Sequence, residues 1–366
     1  MVFSLVVLGF IFITGLVVGS FLNVVILRTV SNESIVFPGS KCPKCQNSLK
    51  WYHNIPLLSY LFLGGKCAYC KEHISLQYPL VEFLTGCIFV GLFLRFCLPF
   101  DPLFGLNYMN PISWAQVIHY LFSLIASCLF IVIAGTDFLE MRCATSHLYS
   151  LIGTGLVYSI VMAVMNIVFY TKELGAPEIN LNFFLTCPVL YSICAGVVGF
   201  IFMEILRHGS KLIVQVDAFG DGDSYIAAGI GTVIGALFGN FSPYTSFLNI
   251  LAIMGGIFVL SAILPVIFIL PIYLKKLISN KNYYTLGALA TFMIYAIAYI
   301  YAQNSGWLEN IFALIICSLI LLILGIFVCN EILKGIKNQT SDGYPIPFGP
   351  SLVISAFICI AFLPIS

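Results

Sequence analysis

Residues 42–70 read CPKCQNSLKWYHNIPLLSYLFLGGKCAYC. Two CxxC knuckles, Cys42-Pro-Lys-Cys45 and Cys67-Ala-Tyr-Cys70, bracket this stretch, with the 21 residues 46–66 between them. That spacing lets one chain wrap four thiolates tetrahedrally around a single Zn²⁺. Four thiolates fill the coordination sphere, so the metal is expected to be structural and not catalytic. The stretch belongs to a polar loop, residues 28–79, bounded on both sides by long apolar runs. A loop of this size builds little core alone, and metal binding would supply its folding energy.

Outward from the loop the chain is overwhelmingly apolar. It is 60% hydrophobic and 8% charged over 366 residues, far from the composition of soluble domains. Runs of membrane-spanning length predict ten helices, near 3–27, 80–99, 115–137, 147–170, 183–206, 223–239, 247–274, 284–303, 310–333 and 349–364. The expected fold is an all-α polytopic membrane protein of about ten transmembrane helices. A small zinc-ribbon-like loop domain sits between helices one and two. The domains are then the first transmembrane helix (1–27), the loop domain (28–79) and the remaining transmembrane domain (80–366). The first run lacks a basic leading segment and continues into Asn23 and Arg28 without a small-x-small cleavage site. It reads as a retained helix and not as a signal peptide.

Charge sets the orientation. The chain holds 16 Lys and Arg. With the 28–79 loop in the cytoplasm and alternating helices, all of them except Arg95 and Lys172 fall in inside loops, the asymmetry of the positive-inside rule. Both termini are then outside. The basic residues are scattered loop anchors around a net charge of +1, so nucleic acid is not an expected partner, while the lipid bilayer is. A cytosolic location also argues against the alternative of two disulfides among the loop cysteines. His53 and His73 are other possible ligands in the loop. The nine remaining cysteines lie in or beside apolar runs and read as small buried core residues.

Two acids stand at helix ends where a carboxylate is costly. Asp137 closes the apolar run Leu121–Thr136, and Asp223 belongs to Gly220-Asp-Gly-Asp223 at the start of another. The topology puts both at the cytoplasmic membrane surface. Two facing aspartates cannot both ionise: one acts as acid and the other as base, and together they can activate water to cut an amide. Asp223 before Ser-Tyr-Ile is equally a good helix N-cap. Residue type and spacing leave both readings open. Glu204 beside Arg207 and Glu331 beside Lys334 read as local ion pairs, and Glu82 as a cap on the second helix.

Taken together, these motifs resemble the bifunctional type IV prepilin peptidases (leader peptidase/N-methyltransferase), members of the GxGD membrane aspartyl proteases. The resemblance is carried by Gly19-Ser-Phe-Leu-Asn23 through Arg28, by Cys42-Pro-Lys-Cys45, and by Trp51-Tyr-His-Asn-Ile-Pro-Leu-Leu-Ser-Tyr60. Gly64-Gly-Lys-Cys67-Ala-Tyr-Cys70, Tyr78-Pro-Leu-Val-Glu82, Gly220-Asp-Gly-Asp223 and Pro345-Ile-Pro-Phe-Gly-Pro350 extend it along the chain. It implies a bacterial inner-membrane, multi-pass enzyme that removes the basic leader from type IV prepilins or type II secretion pseudopilins at the cytoplasmic face. The enzyme would then N-methylate the new amino terminus with S-adenosylmethionine. Asp137 and Asp223 would be the catalytic acid/base pair, within a peptidase domain over 80–366. Cys42, Cys45, Cys67 and Cys70 would hold the zinc. The chain departs from the family pattern in having Ser224-Tyr225 where a Lys usually follows GxGD, and no Pro shortly after Asp137. The alternative is a catalytically degenerate homologue acting as a secretion or pilus assembly protein. A transporter with intramembrane acids would leave the cysteine loop without a purpose.

Overall fold

The computed structural model describes residues 2–37, 39–97, 100–101, 105–106, 113–140, 143–173, 187–214, 220–241, 253–258, 261 and 349–362. The chain divides into two compact units. The first comprises 1–212, 217–261 and 347–366 and carries every feature described below. Of the second, 213–216 with 262–346, only Ile213 and Val214 are described.

Long apolar runs without water must bond their own backbone, and they do so as helices. These are α1 (Val2–Val30), the short α2 (Leu58–Phe62), α3 (Gln77–Phe96), α4 (Trp114–Glu140), α5 (Thr145–Glu173), α6 (Pro188–Val214), α7 (Asp221–Phe241) and α8 (Gly349–Phe362). A two-residue antiparallel pair, β1 (Phe100–Asp101) with β2 (Gly105–Leu106), is the minor exception. Among the described residues five helices are long and apolar enough to cross a membrane: Leu5–Val30, Gln77–Phe96, Trp114–Glu140, Thr145–Met165 and Pro188–Gly209. They coincide with the first five predicted spans. The predicted spans 223–239 and 349–364 fall on α7 and α8. Those at 247–274, 284–303 and 310–333 lie outside the described residues, apart from helical residues 253–258 and 261.

The helices are apolar on both faces, and burial separates the faces. On α3, Glu82, Thr85, Gly86, Phe89, Leu92 and Phe96 are buried at helical spacing, while Leu80, Phe83 and Leu84 are exposed. The core joins Phe130 and Ile133 of α4, Leu151 of α5, Met203 of α6, Ile226, Ile230 and Ile234 of α7, and Leu352 of α8, all fully buried. Lipid is as apolar as these side chains, so such helices associate through close packing and not through exclusion of water. Between α6 and α7 the packing depends on glycine. A Cβ at Gly231 or Gly235 would run into the backbone carbonyls of Ala195 and Tyr191. The same proximity lets the Ser192 hydroxyl donate to the Thr232 carbonyl at 2.9 Å.

The lower part of α1 ties into the same end of the unit as the end of α4 and the start of α5. Ile26 packs against Gly135 of α4, and Thr29 Oγ1 lies 3.2 Å from Nε2 of His147 on α5. Asn23 Nδ2 donates to the Tyr78 carbonyl at 3.1 Å, joining α1 to the first turn of α3. The loop between α1 and α3 therefore emerges at the end of the unit that carries Asp137.

Candidate active site and metal centre

The two knuckles of the loop are conformational twins. In the first, the N–H of Cys42 donates to Asn47 O at 3.0 Å and the N–H of Gln46 returns to Cys42 O at 2.9 Å. In the second, Cys67 donates to Glu72 O at 2.8 Å and Lys71 returns to Cys67 O at 3.1 Å. A strand-like contact closes each, Leu49 to Ser40 O and Ile74 to Gly65 O, both at 2.8 Å. In each the residue after the second cysteine is left-handed, Gln46 at φ 59° and Lys71 at φ 60°. This is an unfavourable conformation for side-chain-bearing residues, accepted here because it turns the chain so that both sulfurs point inward.

The four Sγ atoms lie within 4.8 Å of one another, and Cys42 and Cys70 approach to 3.9 Å. A tetrahedron of thiolates about 2.3 Å from Zn²⁺ has edges of about 3.8 Å, so this donor set fits the metal. All four are free thiols, unlinked by disulfides. His53 takes no part in the cluster: its ring packs edge-on against Tyr52 and Tyr69. The backbone N–H groups of Cys70 and then Tyr69 lower the Cys67 thiol to about 6, which favours the thiolate that a metal requires. At Cys70 the Glu72 N–H pulls down, but burial and the sulfurs of Cys67, Cys45 and Cys42 outweigh it and push the thiol up to about 11.

Glu82 does not cap α3, which begins five residues earlier at Gln77. It is buried, and its Oε2 accepts the Leu57 N–H at 2.9 Å. The contact holds Leu57 in a left-handed conformation (φ 58°) and anchors the start of α2 to a membrane-type helix.

Asp137 lies in the last turn of α4 and Asp223 in the first turn of α7, 7% and 8% exposed. The fold brings them into electrostatic reach of each other. Asp223 N–H donates to Gly220 O at 3.2 Å while its Oδ2 accepts the Gly220 N–H at 3.0 Å. Asp223, the third residue of α7, thus reaches back to the N–H of the residue that precedes the helix, as the acid of a capping box does, and is not the N-cap that its place before Ser-Tyr-Ile suggests. Within reach of both carboxyl groups is Cys143, in the link from α4 to α5. Its thiol hydrogen-bonds Asp137 and feels both charges, its Sγ lies 4.0 Å from Ile133 O, and its Cβ faces Gly222. Burial, and then the two carboxylates, hold this thiol well above the usual range, so it is a neutral donor. Nothing in the sequence marks Cys143 for this place, because a cysteine beside an apolar run has the signature of a core residue.

On the other side of α7, Glu204 of α6 accepts from Ser224 Oγ at 2.7 Å and from Arg207 Nη2 at 2.8 Å. Arg207 Nη1 in turn reaches Asp221 Oδ1. The pairing of Glu204 with Arg207 follows from their i,i+3 spacing. The links to α7 do not, because they cross between helices.

Long apolar helices carrying a four-thiol cluster that could hold a metal and a buried aspartate pair at one end define a polytopic membrane protein. Residues 13–96 match the Bacterial Peptidase A24 N-terminal domain family. The chain is similar to the prepilin leader peptidase/N-methyltransferase of Vibrio cholerae, 32% identical over 247 residues that cover 65% of this chain and 80% of the relative. It is also similar to the proteins of that name from Myxococcus xanthus, 44% identical over 118 residues (31% of this chain, 35% of the relative), and Klebsiella pneumoniae, 44% over 88 residues (22% and 39%). The chain thus matches little more than a third of the length of those two relatives. No solved structure matches it. The chain belongs to the prepilin leader peptidase/N-methyltransferase family.

Proposed function

We propose that this protein is a membrane aspartyl endopeptidase that removes the leader from type IV prepilins or type II secretion pseudopilins and N-methylates the new terminus. Its acid/base pair is Asp137 and Asp223, and it works at the cytoplasmic face of the bacterial inner membrane. The observation that carries this reading is the burial of Asp137 and Asp223 within electrostatic reach of each other, in a chain of this family. The ionised carboxyl takes a proton from water, whose oxygen attacks the scissile carbonyl. The protonated one donates to the carbonyl oxygen; on collapse of the diol the C–N bond breaks, the amine takes the proton the first carboxyl had gained from water, and the second recovers its own from a diol hydroxyl. Exposed Phe138 and Tyr149 flank this end of the bundle and suit the apolar helix of a pilin-like substrate lying in the bilayer.

Zinc held by Cys42, Cys45, Cys67 and Cys70 would stabilise the loop fold and leave no open position for substrate. S-adenosylmethionine would supply an electrophilic methyl group to the amine that cleavage releases. The methylation half of the reading rests on the names of the relatives. The orientation rests on the distribution of Lys and Arg.

Co-expression with a pilin-like protein bearing a basic leader, followed by mass spectrometry of its N-terminus, tests both activities. The expected product is shortened and one methyl group (14 Da, roughly, for CH₂ added) heavier than the bare cleaved chain. An uncut substrate in the presence of folded enzyme rejects the peptidase reading. A cut but unmethylated one rejects the second activity alone.

A further inference from the structure

We propose that Glu204 and Arg207 of α6 clamp the first turn of α7 and set the direction of the Asp223 side chain. Glu204, Arg207 and Ser224 are then positioning residues for leader cleavage, an inference that rests on the reading of Asp223 as catalytic.

The geometry is a closed set of contacts between two helices. Glu204 uses both oxygens, Oε1 for the Ser224 hydroxyl and Oε2 for Arg207. Arg207 uses two nitrogens, Nη2 for Glu204 and Nη1 for Asp221. His208 Nδ1 lies 3.4 Å from Glu204 Oε2, on the same helix. Residues 221 and 224 are thus held from α6, and they flank Asp223. At about 100° per residue, Asp221 and Ser224 are about 60° apart around the helix, whereas Asp223 is about 160° from Asp221 and about 100° from Ser224. The gripped side of the turn faces away from Asp223. Fixing it fixes the rotation of the turn about its axis, and so the direction in which Asp223 projects toward Asp137.

The turn needs such a hold. It begins α7, where backbone N–H groups lack helical partners and ends fray. Gly220 precedes it and Gly222 lies within it, and the side chain of Asp221 is 84% exposed. The base of the clamp is rigid, because Gly231 and Gly235 bring α7 against the α6 backbone further along. Both partners in the grip are charged, and Glu204 and Arg207 are only 24% and 28% exposed, the setting in which charge-assisted hydrogen bonds are strongest.

The test uses the full chain with a pilin-like substrate bearing a basic leader, and compares Ser224→Ala, Ser224→Thr and Glu204→Gln with the parent and with Asp223→Asn. Ser224→Ala and Glu204→Gln are expected to lower kcat about 10- to 100-fold, the size of a lost hydrogen bond to a charged group. KM should stay within about two-fold, because substrate binding is not the function of the clamp. Ser224→Thr, which keeps the hydroxyl, restores most of the rate. Hydrogen exchange at residues 221–226 rises in Ser224→Ala and Glu204→Gln but not in Ser224→Thr. Ser224→Ala removes one hydroxyl and keeps the test open if Glu204→Gln does not fold. A parental kcat in Ser224→Ala, with Asp223→Asn inactive, overturns the clamp alone, whatever the exchange reads. Cleavage by Asp223→Asn overturns the acid-pair reading and the clamp's part in it.

Discussion

The metal loop and the aspartate pair occur at the same end of one unit and are built in opposite ways. In the loop, the cysteines of each pair are separated by two residues, each knuckle carries its own hydrogen bonds, and the two halves repeat one conformation. The aspartates come from α4 and α7 with α5 and α6 between them in the chain, so only tertiary packing can unite them. Their approach depends on the glycine-mediated seating of α7 on α6 and on core residues such as Phe130, Leu151 and Ile226. A site assembled from local turns fails with its own ligands. A site assembled by packing fails with distant helix contacts as well.

That contrast is open to test. The largest expected effect is at the acids. Asp137→Asn or Asp223→Asn should lower the rate of leader cleavage by about 1,000-fold or more, with zinc content and melting temperature retained. Near-parental processing by either variant would dismantle the acid-pair account. Next, Cys42→Ser or Cys67→Ser should take bound zinc from about one per chain to almost none. Limited proteolysis should then cut within 28–79 while the helices stay protected, and an equally protected loop would show that it folds without its metal. Third, Gly235→Leu forces a side chain against the Tyr191 backbone and should cost about 1–3 kcal/mol of stability, read as a lower melting temperature in detergent. Cleavage should weaken while zinc content stays unchanged, whereas joint loss of both would deny that the two centres are independent.

The smallest effect concerns the loop alone. Immediately after chelation of the zinc at pH 7, while the knuckles keep their hydrogen bonds, Cys67, lowered to about 6, is mostly thiolate, while Cys70, pushed up to about 11, is mostly thiol. Cys67 is buried and Cys70 exposed, so the pH profile of alkylation separates them: the reaction of Cys67 with iodoacetamide is near its plateau at pH 7, while that of Cys70 still rises with pH. As pH falls through about 6 the Cys67 thiolate gains its proton and its reaction slows. Matching profiles for the two, followed by peptide mass spectrometry, would contradict the asymmetry between the twins.

Much of this protein was written in the order of its residues. Apolar runs dictate helices because a backbone in hydrocarbon has only itself to bond, and the five membrane-length helices of the described region fall where those runs lie. The four cysteines were legible because ligand spacing within a knuckle is a local property of the chain. Glu204 and Arg207 were legible as a pair because helical periodicity puts i and i+3 on one face. Tertiary structure decided the rest. Sequence could place Asp137 and Asp223 near one surface but could not bring their side chains together. That took close helix packing, which depends on glycines, shapes and crossings that no short window encodes. For the same reason the buried role of Glu82, the place of Cys143 beside two carboxyl groups, and the grip of α6 on Asp221 and Ser224 emerge only once the helices are packed.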